Sequence, residues 1–328
     1  MRLVWLIGLG AVCAGASAQA ETLPVAGIYA AGTDAPSRVR SIAIGDFSGR
    51  GGERLAFAID TALRGAVIEG RPYFDLTFTA PAFGDSYTYD GGAASPARPA
   101  RGGPDAVMRG IGEVQWRDID AGTKQVEECA AKGDDGKCLE KKPVDYPCQS
   151  REVTLRPEVR LVSREGELLY AKGDTLTTSQ RFCKDEKGSP SVDAMVEELA
   201  RGFASGLRVD VAPEYRGEDI RLLESRDGII KSDHAAFKAA VRQTKGDING
   251  ACRSFEALAA NNPRDVSVLF NIGLCRESVG DLEGAGELYQ MVLDVRPGKL
   301  EAQQGLGRIA SRLRAEQQLA LHLRRDPS

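Results

Sequence analysis

Histidine is scarce in this sequence: His234 and His322 are the only two in 328 residues. Histidine is the commonest general base in enzymes that activate a nucleophile, and neither Gly-x-Ser-x-Gly nor His-Glu-x-x-His occurs. Both histidines are expected to be exposed residues of helices. Three carboxylates could act as acid and base on a glycan, but their spacing is that of ordinary solvated charges: Asp46, Asp118 and Asp120. We therefore predict a non-enzymatic protein with no catalytic residue and no cofactor.

The sequence also lacks a block of basic residues. Its 43 Lys and Arg residues stand against 47 Asp and Glu residues, a net charge of −4. Proteins that bind nucleic acid neutralise phosphates with clustered positive charge, so this balance argues against a nucleic-acid partner. Past the first residues, no apolar run approaches the roughly 20 residues of a membrane-spanning helix. We expect no stable membrane span.

The apolar run that does occur lies at the start of the chain. Arg2 precedes the mostly apolar stretch Leu3–Val12, and small residues follow up to Ala20. This order is typical of a secretory signal peptide over residues 1–20 and predicts a periplasmic protein. Cys13 would be the lipidated residue of a lipoprotein, but Val12 stands where that motif expects Gly or Ala. Peripheral association with the outer membrane stays open.

No Cys-x-x-Cys pair occurs, so zinc and other metal sites have little support. Six cysteines remain beyond Ala20, and an even number in an exported chain predicts disulfide bonds. Cys148 and Cys183 are equidistant from Glu165-Gly166, the predicted turn of a long hairpin, and form the preferred pair. Cys129 and Cys138 would then close a small glycine turn. Four cysteines allow three connectivities, so this pairing is a preference and not a deduction.

Cys252 and Cys275 lie at nearly equal separations before and after Pro263, on two successive predicted helices. They could stand at the same height and form a bridge. They could equally pack as two small buried thiols. The sequence leaves both alternatives open.

Alternating and helical patterns predict a first domain over residues 21–230. A short apolar strand at Ser41–Phe47 is followed by a glycine turn and a helix with one apolar face. Further strands are expected at 74–79 and 106–114, then the long hairpin, and then a helix capped by Ser191. Loops are expected at 84–104 and 129–148. The predicted class is α+β or α/β, a mixed sheet with flanking helices, followed by an all-α repeat region.

Near the carboxyl end, five landmark residues recur at a constant separation along the sequence, which is the separation between Gly246 and Gly280. A helix-turn-helix unit needs a glycine at its turn, a small residue at its helix crossing, two bulky residues one turn apart and a closing proline. Gly246, Ala251, Phe255, Leu258 and Pro263 recur in this order as Gly280, Ala285, Tyr289, Val292 and Pro297, and Ile272-Gly273 recurs as Leu306-Gly307. The pattern resembles the tetratricopeptide repeat.

This resemblance implies a helical solenoid over residues 231–328, with two full units and a terminal helix. Polar side chains on the first helices of such units face a concave surface that binds other proteins. The candidate partner-binding residues are therefore Lys238, Arg242, Asn271 and Arg276. Arg242 and Arg276 replace the aromatic residue that the repeat usually has at that place.

The first domain weakly resembles a second group, the curli-secretion channels, the penicillin-binding-protein activators and the amino-terminal domain of TolB. The likeness covers about residues 40–225 and rests on the strand Ile42–Phe47, the order of elements after it and the Ala212-Pro213 end of a helix. It implies a role in the cell envelope.

Two functional hypotheses follow. The first is a non-enzymatic periplasmic adaptor whose repeats bind proteins in cell-envelope assembly or transport. The alternative is an envelope glycan-binding or hydrolytic protein with its ligand site in the amino-terminal domain.

Overall fold

The computed structural model of the chain describes residues 21–78, 103–186 and 188–324. The predicted signal peptide and most of the predicted loop at 84–104 lie outside these residues. The chain divides into two compact units. Of the described residues, the helical unit comprises those up to Gly27 together with Gly217–Ala310, and the sheet unit comprises those between Ile28 and Arg216 and those from Ser311 onward.

Ten strands and seven α-helices are found in the described ranges. The strands are β1 (Thr22–Tyr29), β2 (Ser41–Ser48), β3 (Val67–Ile68), β4 (Arg71–Pro72), β5 (Asp75–Phe78), β6 (Ala106–Lys132), β7 (Cys138–Ser163), β8 (Leu168–Gly173), β9 (Leu176–Cys183) and β10 (Glu214–Arg221). The helices are α1 (Gly52–Arg64), α2 (Val192–Val211), α3 (His234–Gln243), α4 (Ile248–Ala259), α5 (Val266–Ser278), α6 (Leu282–Val295) and α7 (Leu300–Leu323).

The sheet unit is built on a six-stranded mixed sheet. β2 pairs in parallel with β5 on one side and with β6 on the other. β6 pairs antiparallel with β7, and β7 pairs antiparallel with both β8 and β9. The helices α1 and α2 pack against each other and against strands of this sheet, so the apolar side chains of both layers form one core. Its fully buried members include Ile42, Ile44, Leu55, Ile59, Leu63, Leu155, Leu161 and Leu207.

The strands β6 and β7 extend well past the rest of the sheet. They pair from Ala106 with Ser163 as far as Lys132 with Cys138, whereas β9 accompanies β7 only as far as Cys148. Residues 121–147 therefore form a two-stranded ribbon with its turn at 133–136, and almost all of its side chains are exposed or half-buried. We predicted a loop at 129–148, and this is wrong. A strand that buries neither face needs no apolar alternation, so its sequence resembles a polar loop.

The predicted fold class is also wrong. Strands run through the chain as far as Cys183 around the six-stranded sheet, and α1 is the one α-helix described before residue 187. The other six helices lie in the carboxyl-terminal part of the chain. The expected α+β or α/β domain, a mixed sheet with flanking helices, is replaced by a long β-rich region with one early helix. The two very long strands β6 and β7 account for most of this difference.

The helical unit has its own core. β1 pairs with β10 in a two-stranded sheet, and two β1 side chains, Leu23 and Val25, are fully buried among the helices. Asp247, Asp265 and Asp281 begin α4, α5 and α6, and each carboxylate accepts a bond from a backbone N–H of its helix's first turn. The other buried side chains of this core include Phe237, Ala251, Phe255, Phe270, Leu274, Ala285, Tyr289 and Val292.

Three disulfide bonds cross-link the described chain. Cys129 bonds to Cys138 and Cys148 bonds to Cys183, which confirms the preferred pairing. Cys252 bonds to Cys275, which decides the alternative that the sequence left open. Disulfides persist in oxidising compartments, and this is consistent with an exported protein. Every helix within the described ranges is too short or too polar to span a bilayer.

Candidate functional site

The landmarks of the repeat occupy matching places in the helical unit. Ala251 and Phe255 of α4 are fully buried, as are Ala285 and Tyr289 of α6. The turn and end positions are exposed in both copies: Gly246, Gly280, Pro263 and Pro297. Gly280 has a φ of 85°, a value that favours glycine. The period thus places the same residue types at equivalent packing positions.

Two of the predicted binding residues form an exposed basic pair. Lys238 and Arg242 are one turn apart on α3, and both side chains are exposed. No ion pair or hydrogen bond is found for either side chain within the described ranges. Like charges at this spacing repel each other weakly, so this pair adds nothing to the stability of α3. Both groups are available to a negatively charged partner.

Arg276 is exposed but engaged. Its guanidinium lies 2.9 Å from the Glu256 carboxylate and 3.3 Å from that of Asp281. Both pairs are close to half exposed, so each contributes little to stability. Arg276 ties the end of α5 to α4 and to the start of α6, and a partner would have to compete with both carboxylates.

Asn271 lies in the interior and holds the backbone of another segment. Its Oδ1 accepts a bond from the Leu223 N–H at 2.9 Å, and its Nδ2 donates to the Leu223 carbonyl at 2.9 Å. One carboxamide therefore satisfies both backbone groups of a single residue, as a neighbouring strand would. The side chain that we predicted at a free concave surface is instead fully buried.

A second asparagine binds the same segment further along. The Asn262 Oδ1 accepts from the Ile230 N–H at 2.9 Å. Its Nδ2 donates to Asp233 and to the Leu258 carbonyl. We call residues 222–230 the strap, because both of its ends are held on the helices while its middle is exposed. Nothing in the spacing of the repeat indicated the strap. An asparagine between Phe270 and Ile272 in an apolar helix was the available signal.

A buried ion pair joins α5 to α7. Arg308 donates two bonds to the Glu277 carboxylate, at 2.8 and 2.7 Å, and Glu277 is fully buried. The Tyr289 hydroxyl donates to the same carboxylate at 2.7 Å. Burial, with the adjacent negative charge of Glu277, raises the pKa of Tyr289, so the hydroxyl stays protonated as a donor. These bonds join α5, α6 and α7.

The sheet unit contains a groove of about 790 Å³ between α1 and α2. Phe57 lies in it with two thirds of its side chain exposed, beside small residues of α1. Charged residues of both signs line the groove. Arg54 is paired with Asp193 at 3.0 Å, and Arg208 is paired with Glu214. This mixture of an aromatic side chain and polar groups is typical of small-ligand sites.

The three carboxylates considered as acid and base have different surroundings. Arg151 holds both oxygens of Asp118, at 2.8 and 2.7 Å, and this bonding lowers the pKa of Asp118. Asp120 accepts a bond from the Gly122 N–H. Asp46 is exposed on β2. A general acid needs a raised pKa, and Asp118 has the opposite shift.

The two histidines have structural contacts. His322 was expected to be exposed and is instead buried, with its ring stacked on Tyr73 at 3.9 Å and its Nε2 bonded to the Tyr73 carbonyl at 2.6 Å. His234 lies 2.9 Å from the Ile229 carbonyl. The one described group with metal-ligand spacing contains Cys183, Asp185 and Glu186. Its sulfur belongs to a disulfide and is not a thiolate ligand.

No protein-family model matches the sequence, and no curated protein matches it either. Among solved structures, a neuraminyllactose-binding hemagglutinin homolog from Helicobacter pylori is similar over 65% of this chain and 94% of its own. The identity is 8% and the TM-score is 0.26. A TM-score this low carries no argument about fold or function.

Proposed function

We propose that this chain is a non-enzymatic adaptor that binds protein partners through its helical unit, as the tetratricopeptide-repeat resemblance implies. The observation that carries the proposal is the exposed basic pair Lys238 and Arg242 on α3, which has no partner within the described residues. An unpaired basic pair on a rigid helix is suited to an acidic segment of another protein. The buried landmarks of α4 and α6 provide the rigid scaffold.

The periplasm is the proposed location, and cell-envelope assembly or transport is the proposed setting. The three disulfides and the signal-like sequence at residues 1–20 support an oxidising, exported environment. The partners would be other envelope proteins. The net charge of −4 makes nucleic acid an unfavourable partner.

The test is cross-linking of the full chain in intact cells, followed by identification of the cross-linked proteins. We expect the charge-reversed variant Lys238→Glu/Arg242→Glu to lose a specific envelope protein that the natural chain captures. Arg253→Glu/Arg264→Glu is the matched control, because both arginines are exposed residues of the same unit. This control should keep the partner. Identical captures by all three chains would overturn the proposal.

A second function is favoured by the groove between α1 and α2. It would make the sheet unit a binding site for an envelope glycan, with the exposed ring of Phe57 stacking on a sugar. Cell-wall fragments should then raise the melting temperature of the full chain, and Phe57→Ala should abolish this rise. No rise with the natural chain would exclude the glycan function.

A further inference from the structure

The strap is held on the helical unit at two ends and by two kinds of contact. The Leu222 and Ile229 side chains are 1% and 5% exposed and belong to the core of the unit. Asn271 and Asn262 bond to the backbones of the residues directly after them, Leu223 and Ile230. Each end therefore combines one apolar anchor with one asparagine. Each end also makes one further hydrogen bond, because the Leu222 N–H donates to the Glu21 carbonyl at 2.9 Å and the Ile229 carbonyl lies 2.9 Å from the His234 Nε2.

The middle of the strap makes no comparable contacts with the described helices. Residues 224–228 are all exposed. Hydrogen bonds within this stretch join Ser225 to Asp227, and these bonds do not attach it to the helices. Gly228 has a φ of 101°, a value that favours glycine and lets the chain turn just before the buried Ile229. No helix or strand lies within residues 222–230, so detachment of the strap would break no regular element.

The asparagine contacts recognise backbone and not sequence. The Asn271 carboxamide donates to one carbonyl and accepts from one N–H of the same residue. Any extended residue other than proline presents this pair of groups. Specificity would come from the apolar side chain preceding the clamped residue, as Leu222 precedes Leu223 here. The site selects an extended peptide with an apolar anchor.

We propose that the strap occupies a peptide-binding site of the helical unit and that an extended, apolar-anchored segment of a partner protein displaces it. The inference rests on the proposed adaptor function and specifies how the helical unit engages its partner. The site consists of Asn271, Asn262 and the apolar positions that Leu222 and Ile229 fill. A buried carboxamide left without partners is unfavourable, so the site is occupied either by the strap or by a replacement.

The test uses a fluorescent peptide with the sequence of residues 221–231 and a scrambled peptide as its control. The full chain with Leu222→Ala/Ile229→Ala has a weakened strap. We expect this variant to bind the peptide at least about tenfold more tightly than the natural chain, because the competing segment is removed. Adding Asn271→Leu should remove the gain. Equal and weak binding of both peptides by every chain would overturn the inference.

Hydrogen exchange of the natural chain tests displacement of the strap without requiring any variant to fold. In the natural chain an excess of the peptide should speed exchange of the Leu223 and Ile230 amides, while amides inside α4 and α6 keep their protection. Unchanged exchange of the strap amides at a peptide excess would contradict displacement. The cross-linking test of Lys238 and Arg242 does not involve the strap. The adaptor function can therefore stand while this inference fails.

Discussion

At the scale of single residues, one tyrosine ring sets the distance between three helices of the helical unit. The Tyr289 ring of α6 lies between Gly273 of α5 and Gly305 of α7. A Cβ atom at Gly273 would stand 2.8 Å from the ring, and one at Gly305 would collide with it. The recurrence predicted Gly307 as the important glycine of α7, yet a Cβ there meets no atom within 4 Å. The helix that would pack on Gly307 in a longer array is not found among the described residues.

These contacts predict opposite effects for two alanine substitutions in one helix. Gly305→Ala forces the Tyr289 ring to shift and should destabilise the chain by about 1–3 kcal/mol. Gly307→Ala adds a methyl group in open space and should stabilise α7 by up to about 1 kcal/mol, since alanine favours the helix. Urea denaturation of both variants measures the difference. A loss of stability with Gly307→Ala would show that other residues cover the face of α7 on which Gly307 lies.

The buried His322 predicts a pH dependence. Burial lowers the pKa of His322 below 6.5, and the positive charge of Arg40 lowers it further. The hydrogen bonds to the Tyr73 and Ser37 backbones and the negative charge of Asp75 act in the opposite direction. The unfolded chain therefore takes up a proton before the folded chain does as the pH falls. The stability contributed by neutral His322 is present above about pH 6.5 and is lost on acidification, by at most about 1.4 kcal/mol per pH unit.

The measurement is the free energy of unfolding between about pH 7 and pH 5, in the natural chain and in His322→Phe. The phenylalanine keeps a ring against Tyr73 and removes the titrating group, so the pH slope should become shallower. Tyr73→Phe is the control. It keeps His322 and the carbonyl that accepts its bond, and it should retain the natural slope. Parallel curves for all three chains would mean that His322 takes no part in acid destabilisation.

At the scale of elements, helices were easier to predict than strands. The helix capped by Ser191 is confirmed, because its hydroxyl accepts from the Ala194 N–H at the start of α2. α1 also follows its apolar period. These signals lie within one element. The ribbon at 121–147 carries no such signal, because a strand that is exposed on both faces buries nothing and has no period to detect.

The ribbon predicts that two disulfides of the same sheet differ in their effect on stability. Cys148 and Cys183 are buried and directly opposite each other in the β7–β9 ladder. Replacing both by serine should destabilise the chain by about 3–4 kcal/mol. Replacing Cys129 and Cys138, which are exposed near the ribbon's turn, should leave the melting temperature nearly unchanged and speed proteolysis within the ribbon. An equal fall in melting temperature for both pairs would show that the ribbon unfolds together with the sheet.

At the scale of the whole molecule, the sequence predicted what is local and missed what is distant. The repeat period predicts the helical hairpins because each landmark contacts residues a few turns away. Pairing of β1 with β10 joins the first described strand to the last, and no local pattern encodes it. The strap is missed for a similar reason, since Leu223 and Asn271 are far apart along the chain. The sequence therefore predicted where Asn271 lies in the repeat, but not that its side chain is buried.

The number of free thiols in the whole molecule tests two predictions together, the oxidising compartment of the chain and its cleavage after Ala20. The sequence has seven cysteines, and the six beyond Ala20 are paired in the structure. A chain exported and cleaved after Ala20 should react with no alkylating reagent until it is reduced, and should then take up one group for each of these six cysteines. A chain that keeps its signal-like segment retains Cys13 as a further thiol. Mass spectrometry of the alkylated protein from its native cells separates these outcomes. If the six cysteines beyond Ala20 react before reduction, the chain comes from a reducing compartment, and the periplasmic adaptor proposal fails.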